Sequence, residues 1–515
     1  MTQPDLTEWD DDVTTSDEEE YAALLRAIRW AQGFGLLFVQ CSPAEGERLI
    51  ERTQADAAEK VVQVLRLEDE IDDLHEMVAA YPDLDRTNVL FVTGLEKSLV
   101  PYIEPGFGSE GGYYAKDTVP KLLGKLNLQR ERFKADFAVC FVFLVPRYAM
   151  RYLIRRAADF FDWRSGVWEF VPPQEEQRRV FQEIVRESGL EQYLSWTSQQ
   201  RRQRLLEIDD LLANSDGTGT ESIKLILEQG HILVADADFL AAIAAFNAAL
   251  DIQPDSFAAL NSKGIALISL GRYEEAITNY DAALAIQSDD VAPFANKAFA
   301  LTKLGRYEEA IVSYDAALAI RPDEPFLLYE RGGTFAELGR YEEAVTSFED
   351  ALVIKPDYYL ALSAKGATLN NLRKYEEALA YCEEALKTTD NEYPHAFYVK
   401  GYAFNRLGKY EDAISCFDSA LAIAPDNYQS LYEKGVALRK LGRYEEALTA
   451  YDAALALQPD DHEALNNKGV VLSEVGRTEE AIAAYDAALA LQPDKQETLY
   501  NKGVVLSKLG RTEEA

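Results

Sequence analysis

Gly230, Gly264, Gly332, Gly366, Gly401, Gly435, Gly469 and Gly503 recur at a spacing of 34 residues, with Ala298 standing in once and one extra residue inserted before Gly401. A repeat of that length is a helical solenoid: each unit is too small to bury its own apolar face, so only the stack has a core. This ladder decides the architecture of more than half of the chain.

The unit reads most clearly over residues 260–293, LNSKGIALISLGRYEEAITNYDAALAIQSDDVAP, where apolar positions recur at helical spacing on both sides of a Leu-Gly-Arg turn. Each unit is therefore a helix hairpin. Gly271, Gly305, Gly339, Gly408, Gly442, Gly476 and Gly510 mark the end of the first helix, where a positive φ is expected. The second helix opens on Arg-Tyr-Glu-Glu-Ala. Its alanine (Ala242, Ala276, Ala310, Ala344, Ala378, Ala413, Ala447, Ala481) is expected to face the ladder glycine, because two backbones approach closely only where both side chains are small. An aromatic (Phe246, Tyr280, Tyr314, Phe348, Phe417, Tyr451, Tyr485) then fills the space between hairpins. Pro254, Pro322, Pro356, Pro425, Pro459 and Pro493 close most units.

This pattern resembles the tetratricopeptide repeat, over residues 223–515 and nine units, the last incomplete. The resemblance implies a right-handed all-α superhelix whose first helices line a concave groove that grips peptide segments of other proteins. It implies no chemistry of its own.

Residues 21–172 carry no repeat. Short β-branched runs at 35–41, 60–67, 88–93 and 138–145 predict buried strands, with 167–171 as a fifth, and helices are expected near 44–56, 69–80, 119–134 and 147–161. That alternation predicts an α/β domain, a parallel sheet covered by helices on both faces. Before it, residues 1–20 read as an acidic, disordered lead-in. After it, 173–222 read as a helical linker ending in a flexible Gly/Ser/Thr joint at 214–220.

The order of elements and the strand-end residues resemble a P-loop NTPase core of the signalling-ATPase kind, and LNLQRERF (126–133) with DFFDWRSGVWEF (159–170) are similar to bacterial repeat proteins in which such a module precedes the array. The resemblance places a degenerate nucleotide site at Gly46, Glu47, Thr93 and Glu96. After the first strand the chain reads Cys41-Ser-Pro-Ala-Glu-Gly46-Glu47-Arg48, which keeps the second glycine of a phosphate loop but puts a carboxylate where its lysine belongs. Pro43 removes a further N–H donor. Thr93 stands at the usual aspartate position of the third strand, leaving Glu96 alone to manage metal and water. Without the ammonium and the metal carboxylate a non-hydrolysing module with no cofactor is expected. The alternative is a signalling ATPase that takes ATP and Mg and uses Glu96 with an arginine sensor from among Arg130, Arg155, Arg156 and Arg164. The plainer reading pairs these arginines with acids such as Asp159 and Asp162. The Gly-rich stretch 105–112 reads as a surface loop.

A formal charge of -36 repels nucleic-acid backbones and anionic lipid surfaces, so the expected partners are other proteins or peptides, with no nucleic acid and no membrane. The repeated Glu-Glu and the acid after each aromatic read as solvated faces that serve solubility. No apolar run approaches the ~20 residues of a membrane helix, and the start MTQPDLTEWDDD lacks a basic, apolar export signal, so a cytoplasmic location is expected. Cys41, Cys140, Cys382 and Cys416 are unpaired in spacing and read as reduced core residues; the four histidines form no metal pattern.

Positions three before and one, four and five after the ladder residue are expected to face the groove. Most are bland, such as Asn261, Ile265, Ser269, Gly333 and Ala336. Between Gly366 and Lys440 they become Asn370, Asn371, Tyr398, Tyr402, Asn405, Arg406, Tyr432, Arg439 and Lys440, a basic and aromatic patch on an acidic chain, expected to anchor an extended acidic peptide. The alternative is that the tyrosines pack on neighbouring hairpins. An asparagine two before the ladder residue, which holds peptide backbones in some members of the family, occurs at Asn296, Asn467 and Asn501 but is replaced in most units. The unit of Gly366 departs furthest, with Arg373 for the turn glycine and Cys382 for the aromatic. Residues 498–515 nearly duplicate 464–481 and stop in the first turn of a second helix; the array needs a polar cover there, so the reading is a fragment, or an end that docks on another surface. Nothing in the pattern sets the oligomeric state.

Overall fold

A computed structural model describes residues 17–103, 120–170, 190–213 and 219–511. The chain forms two compact units, Met1–Arg272 and Tyr273–Ala515.

The first unit is built on five parallel strands, β1 (Gly35–Gln40), β2 (Val62–Arg66), β3 (Val89–Thr93), β4 (Cys140–Val145) and β5 (Gly166–Glu169), in the order β2-β3-β4-β1-β5. All five predicted strands are present, and the reason is visible in their burial. In a central parallel strand both faces are covered, so alternate residues go to two different cores. Leu36 and Phe38 of β1, Leu90 and Val92 of β3, and Phe141 and Phe143 of β4 face one core; Leu37, Val39, Val89, Phe91, Val142 and Leu144 face the other. The first core is closed by α3 (Leu74–Ala79), α4 (Lys121–Asp136), α5 (Arg147–Arg156) and α6 (Ala158–Phe161), the second by α1 (Asp17–Trp30) and α2 (Pro43–Asp56).

Helix α1 is absent from the sequence expectations, and it shortens the expected acidic lead-in. Asp17, Glu18, Glu19 and Glu20 form its first turn, where carboxylates meet the positive end of the helix dipole. Tyr21, Leu24 and Ile28 form its buried stripe. Glu18 also pairs with Arg52 of α2 at 2.5 Å.

Two helices follow the sheet, α7 (Leu190–Ser195) and α8 (Ser198–Ala213), and then α9 (Thr220–Ala235), the first helix of the array. Thr220, placed at the end of the expected joint, already opens α9. Helix α8 is held on both sides. Toward the sheet domain, Leu206 enters its core, Arg202 donates to the Pro101 carbonyl at 2.7 Å and Asp210 accepts from the Tyr148 amide at 3.2 Å. Toward α9, Arg204 pairs with Glu228 at 3.0 Å and Arg201 with Asp236 at 2.5 Å.

The second unit is a run of helix hairpins. First helices Val291–Lys303, Pro325–Glu337, Tyr359–Asn371, Pro394–Arg406, Tyr428–Lys440 and His462–Glu474 each precede a second helix, Tyr307–Ile320, Tyr341–Ile354, Tyr375–Thr388, Tyr410–Ile423, Tyr444–Leu457 and Thr478–Leu491, and Gln496–Lys508 follows. First helices of successive units also touch one another, which makes them the inner layer. The turn glycines have φ of 73–81°, and where glycine is missing Arg373 takes φ 61°.

The partner expected for the ladder glycine needs correction. Its open face receives the aromatic ring of the second helix, not chiefly the alanine. A Cβ placed on Gly332, Gly401, Gly435 or Gly469 would lie 2.6–2.8 Å from the nearest ring carbon of Phe348, Phe417, Tyr451 or Tyr485. At Gly366 the same place holds the Cys382 sulfur, 2.9 Å away. The helices approach because the ring lies over bare backbone, while Ala344, Ala413 and Ala447 are buried without being the closest group.

The acids after the aromatics also do more than hold water. In the second unit Asp281, Asp315, Glu349, Glu383, Asp418, Asp452 and Asp486 each accept an ion pair from the basic residue preceding the next ladder position, Lys297, Arg331, Lys365, Lys400, Lys434, Lys468 and Lys502. Each of these seven seams in the second unit thus carries the same bridge. Most are exposed and contribute ~0.2–1 kcal/mol each. Lys365 is the exception: its side chain is 5% exposed and also lies 3.9 Å over the Tyr381 ring. Within hairpins the second glutamate of the Glu-Glu pair closes back on the turn arginine, as in Arg306–Glu309 at 2.6 Å and Arg443–Glu446 at 2.5 Å.

Candidate functional site

The expected patch lies on the first helices Tyr359–Asn371, Pro394–Arg406 and Tyr428–Lys440, and the structure divides it by register. Four residues after the ladder position, side chains turn into the seam between first helices. Asn370 is buried and donates to the Val399 carbonyl at 3.0 Å; Asn405 is buried and donates to the Glu433 carbonyl at 3.0 Å and to its carboxylate at 2.9 Å. Arg439, in the same register, pairs with Glu474 at 3.5 Å. These three clasp neighbouring units. Each still has one shielded polar atom without a hydrogen-bond partner among the described residues: Oδ1 of Asn370, Oδ1 of Asn405 and Nε of Arg439.

Tyr398 and Tyr432, three before the ladder position, are half-buried and pack on the aromatic of their own hairpin, Phe417 and Tyr451, at ring separations of 6.4 and 6.1 Å. Burial pushes both phenols up to about 12, so they stay neutral donors near pH 7. The hydroxyl of Tyr432 accepts from Asn467 at 2.8 Å. Their main ring packing is thus within their own hairpin rather than on the neighbouring hairpins of the packing alternative.

Asn371, Arg406 and Lys440, five after the ladder position, are exposed, and Tyr402 is half-buried. Arg406 donates to the Tyr402 hydroxyl at 2.8 Å, with its guanidinium carbon 4.7 Å from the ring centroid. Stacking and hydrogen bond together hold a long cation in one orientation without taking its charge. Sequence reasoning missed the acids here. Glu433 stands two before its ladder residue, where burial raises its pKa against the opposing pull of Asn405 and Arg406, and Glu474 occupies Arg439. Reading each first helix against the next one, rather than alone, would have found them.

A second candidate sits in the sheet domain. Gly46, Glu47, Thr93 and Glu96 do come together, around one cleft of about 270 Å³ at the carboxyl ends of β1 to β4. The phosphate loop whose second glycine the sequence keeps is not formed. Strand β1 ends at Gln40 and α2 begins at Pro43, so no loop is left to wrap an anion. Two of the amides there are spent, Glu45 N–H on Ser42 Oγ at 3.2 Å and Gly46 N–H on the Ser42 carbonyl at 2.9 Å, and Pro43 has none. Gly46 is a residue of α2 packed on Leu144.

Side-chain charge in the cleft is mostly committed as well. Arg66 holds Glu47 through Nη2 at 2.6 Å and Nε at 3.3 Å, and Lys97 donates to the Glu68 carbonyl at 2.9 Å. Gly94, at φ 82°, lets the chain pass against the Leu67 carbonyl and turn under the sheet edge. That turn buries Glu96, which is 9% exposed with Oε2 lacking a hydrogen-bond partner among the described residues. Burial raises its pKa, against the pull of its own backbone amide and Lys97.

Of the arginines weighed as sensors, Arg130 pairs with Asp159 at 3.1 Å, and Arg164 with Asp162 at 3.7 Å while stacking on Phe161. All four cysteines are free and buried, and no helix among the described residues is long and apolar enough to cross a membrane. The Gly-rich stretch 105–112 lies outside the described residues.

Family models match the repeats. A tetratricopeptide repeat model matches residues 227–291, 432–495 and 471–515, a TPR repeat model 300–339, a further tetratricopeptide repeat model 327–358, and a model of anaphase-promoting complex, cyclosome, subunit 3, residues 371–454. Among solved structures, a tetratricopeptide repeat protein from Parabacteroides merdae is 17% identical, covering 49% of this chain and 99% of its own at a TM-score of 0.42. The Cut9-Hcn1 hetero-tetramer of the anaphase-promoting complex matches at 15% identity over 64% of this chain and 66% of its own, TM-score 0.42. PilW, a type IV pilus biogenesis factor, matches at 20% identity over 42% of this chain and 98% of its own, TM-score 0.39. No curated protein sequence matches the chain. The carboxyl-terminal region carries tetratricopeptide repeats and folds as an all-α solenoid.

Proposed function

We propose that the chain is a protein-interaction scaffold whose repeats hold an extended acidic peptide across the first helices between Tyr359 and Lys440. Tetratricopeptide repeats generally bind other proteins, and the inner layer of first helices is the surface on which this chain departs from its own repeat. The observation that carries the reading is Arg406: an exposed guanidinium already stacked and hydrogen-bonded on Tyr402, on a chain of net charge -36. A peptide carboxylate meeting it loses little further side-chain entropy, and the pair is charge-assisted. Lys440 and Asn371 extend the contact on either side, whereas Asn370, Asn405 and Arg439 position the helices that present it.

In this reading the sheet domain is a non-hydrolysing, NTPase-like module. The Glu45 and Gly46 amides spent on the helix start, together with the Glu47–Arg66 bridge, support that assignment over a signalling ATPase using ATP and Mg. A cytoplasmic setting, where thiols stay reduced, accords with the four free cysteines.

The test is a fluorescent library of acidic peptides titrated into the full chain. Arg406→Glu should weaken the best binder at least about tenfold, the scale of one charge-assisted contact. Unchanged affinity in Arg406→Glu would reject the patch.

A further inference from the structure

In open α/β sheets ligands bind outside the carboxyl ends of the strands, and the cleft bounded by Ser42, Arg66, Thr93 and Glu96 occupies that place. What it offers a ligand follows from what is left over. The Glu45 and Gly46 amides are consumed by the start of α2, Arg66 is paired with Glu47, and Lys97 donates to the Glu68 carbonyl. Among the lining side chains Glu47, Glu68 and Glu96 outnumber Arg66 and Lys97. Among the described residues lining the cleft, the shielded polar side-chain atom without a hydrogen-bond partner is an acceptor, Oε2 of Glu96. A polyphosphate would meet committed donors and excess carboxylate.

An occupant that satisfies this acceptor must bring its own hydrogen-bond donors. At about 270 Å³ the cleft is at the small end of ligand pockets. From these we infer that the carboxyl-edge cleft is a site for a compact donor-bearing cation, a primary amine or guanidinium, with Glu96 as its counter-ion and the Glu47–Arg66 bridge as its rim. The group can belong to a free small molecule or to a lysine or arginine side chain. This site is independent of the peptide surface proposed for the repeats.

The experiment is isothermal titration of the full chain with agmatine, with N-acetyl-lysine amide, and with Mg-ATP. Saturable binding of either amine is expected, and the tighter of the two names the source; Mg-ATP should give no saturable heat. Glu96→Gln, nearly isosteric, should weaken the amine about tenfold or more by removing the counter-charge. Arg66→Gln lies on the exposed rim, where it cannot unfold the core, and should act oppositely, tightening the amine roughly two- to fivefold by freeing Glu47. Two results would overturn the assignment: no saturable heat with either amine up to roughly 10 mM, far weaker than any specific site, or Mg-ATP binding more tightly than both. Amine affinity indifferent to both substitutions would place the amine elsewhere and overturn it equally.

Discussion

Gly332 and Gly333 are neighbours on one first helix, and they give the sharpest test of what the ladder glycine is for. Replacing either by alanine brings the same gain in helix stability, about 0.5–1 kcal/mol, because glycine loses more backbone freedom on folding. Their surroundings differ. A Cβ on Gly333 meets nothing within 4 Å, whereas one on Gly332 lies 2.6 Å from Cε1, 2.8 Å from Cδ1 and 3.0 Å from Cζ of Phe348. That ring is 1% exposed, so it has little room to retreat. Overpacking of this kind costs about 1–3 kcal/mol. Ala298 occupies the ladder position one unit earlier with Tyr314 still 1% exposed, which shows that a seam can be built around a methyl and favours the middle of that range. Gly333→Ala should therefore stabilise by about 0.5–1 kcal/mol. Gly332→Ala should destabilise by about 1 kcal/mol net, leaving the two variants ~2 kcal/mol apart. Urea unfolding followed by circular dichroism, with each midpoint converted through the measured m-value, reads the difference directly. Pairing Gly332→Ala with Phe348→Leu, which withdraws the ring edge, should recover most of the loss as a coupling energy. Equal shifts for the two glycines, or a loss unaffected by Phe348→Leu, would refute the ring-over-backbone account.

Arg373 holds φ 61° where other units have glycine, so Arg373→Gly should raise stability by about 0.5–1 kcal/mol, read from the same urea midpoints. Arg204 balances Glu228, whose side chain is 3% exposed; Arg204→Met should cost about 3–5 kcal/mol by leaving that carboxylate unpaired, and adding Glu228→Met should restore most of it. Burial pushes the Asp210 carboxyl up to about 6 from 3.8, against the hydrogen bond from the Tyr148 amide. The folded chain then binds this proton more tightly than the unfolded chain, so the group favours folding at acid pH and that contribution fades as pH rises from about 4 through about 6. Asp210→Asn should flatten the stability profile across that window, measured as unfolding midpoints from pH 4 to 7.

Most of the scaffold is legible in the residues because its determinants are local or strictly periodic. Strand β4 announces itself as Cys140–Val145, an unbroken apolar run, because both of its faces are covered; the turn glycines do so because few other residues reach their φ. What stayed hidden depends on a partner far along the chain. Period alone shows that Gly332 must be small but not that Phe348, 16 residues on, lies over it. A heptad-like wheel puts Asn405 on the inner face, yet the next first helix covers it and supplies Glu433 as its acceptor. Helix α1 was obscured because a cluster of acids reads as solvated chain until its position at a helix start is known. The failed phosphate loop was visible as Glu47 and Pro43, but that Arg66 would bridge Glu47 needed the strand order.

The bridge between Asp418 and Lys434 recurs between Asp452 and Lys468 with the same 16-residue offset. Excising residues 419–452 would set Asp418 the same distance before Lys468 and rejoin identical halves of the coupling. Such a chain is modular at its joints: length can change by whole units while every remaining junction stays as it was. The 17-residue step from Glu383 to Lys400 marks the one joint in the second unit where that exchange would be out of step.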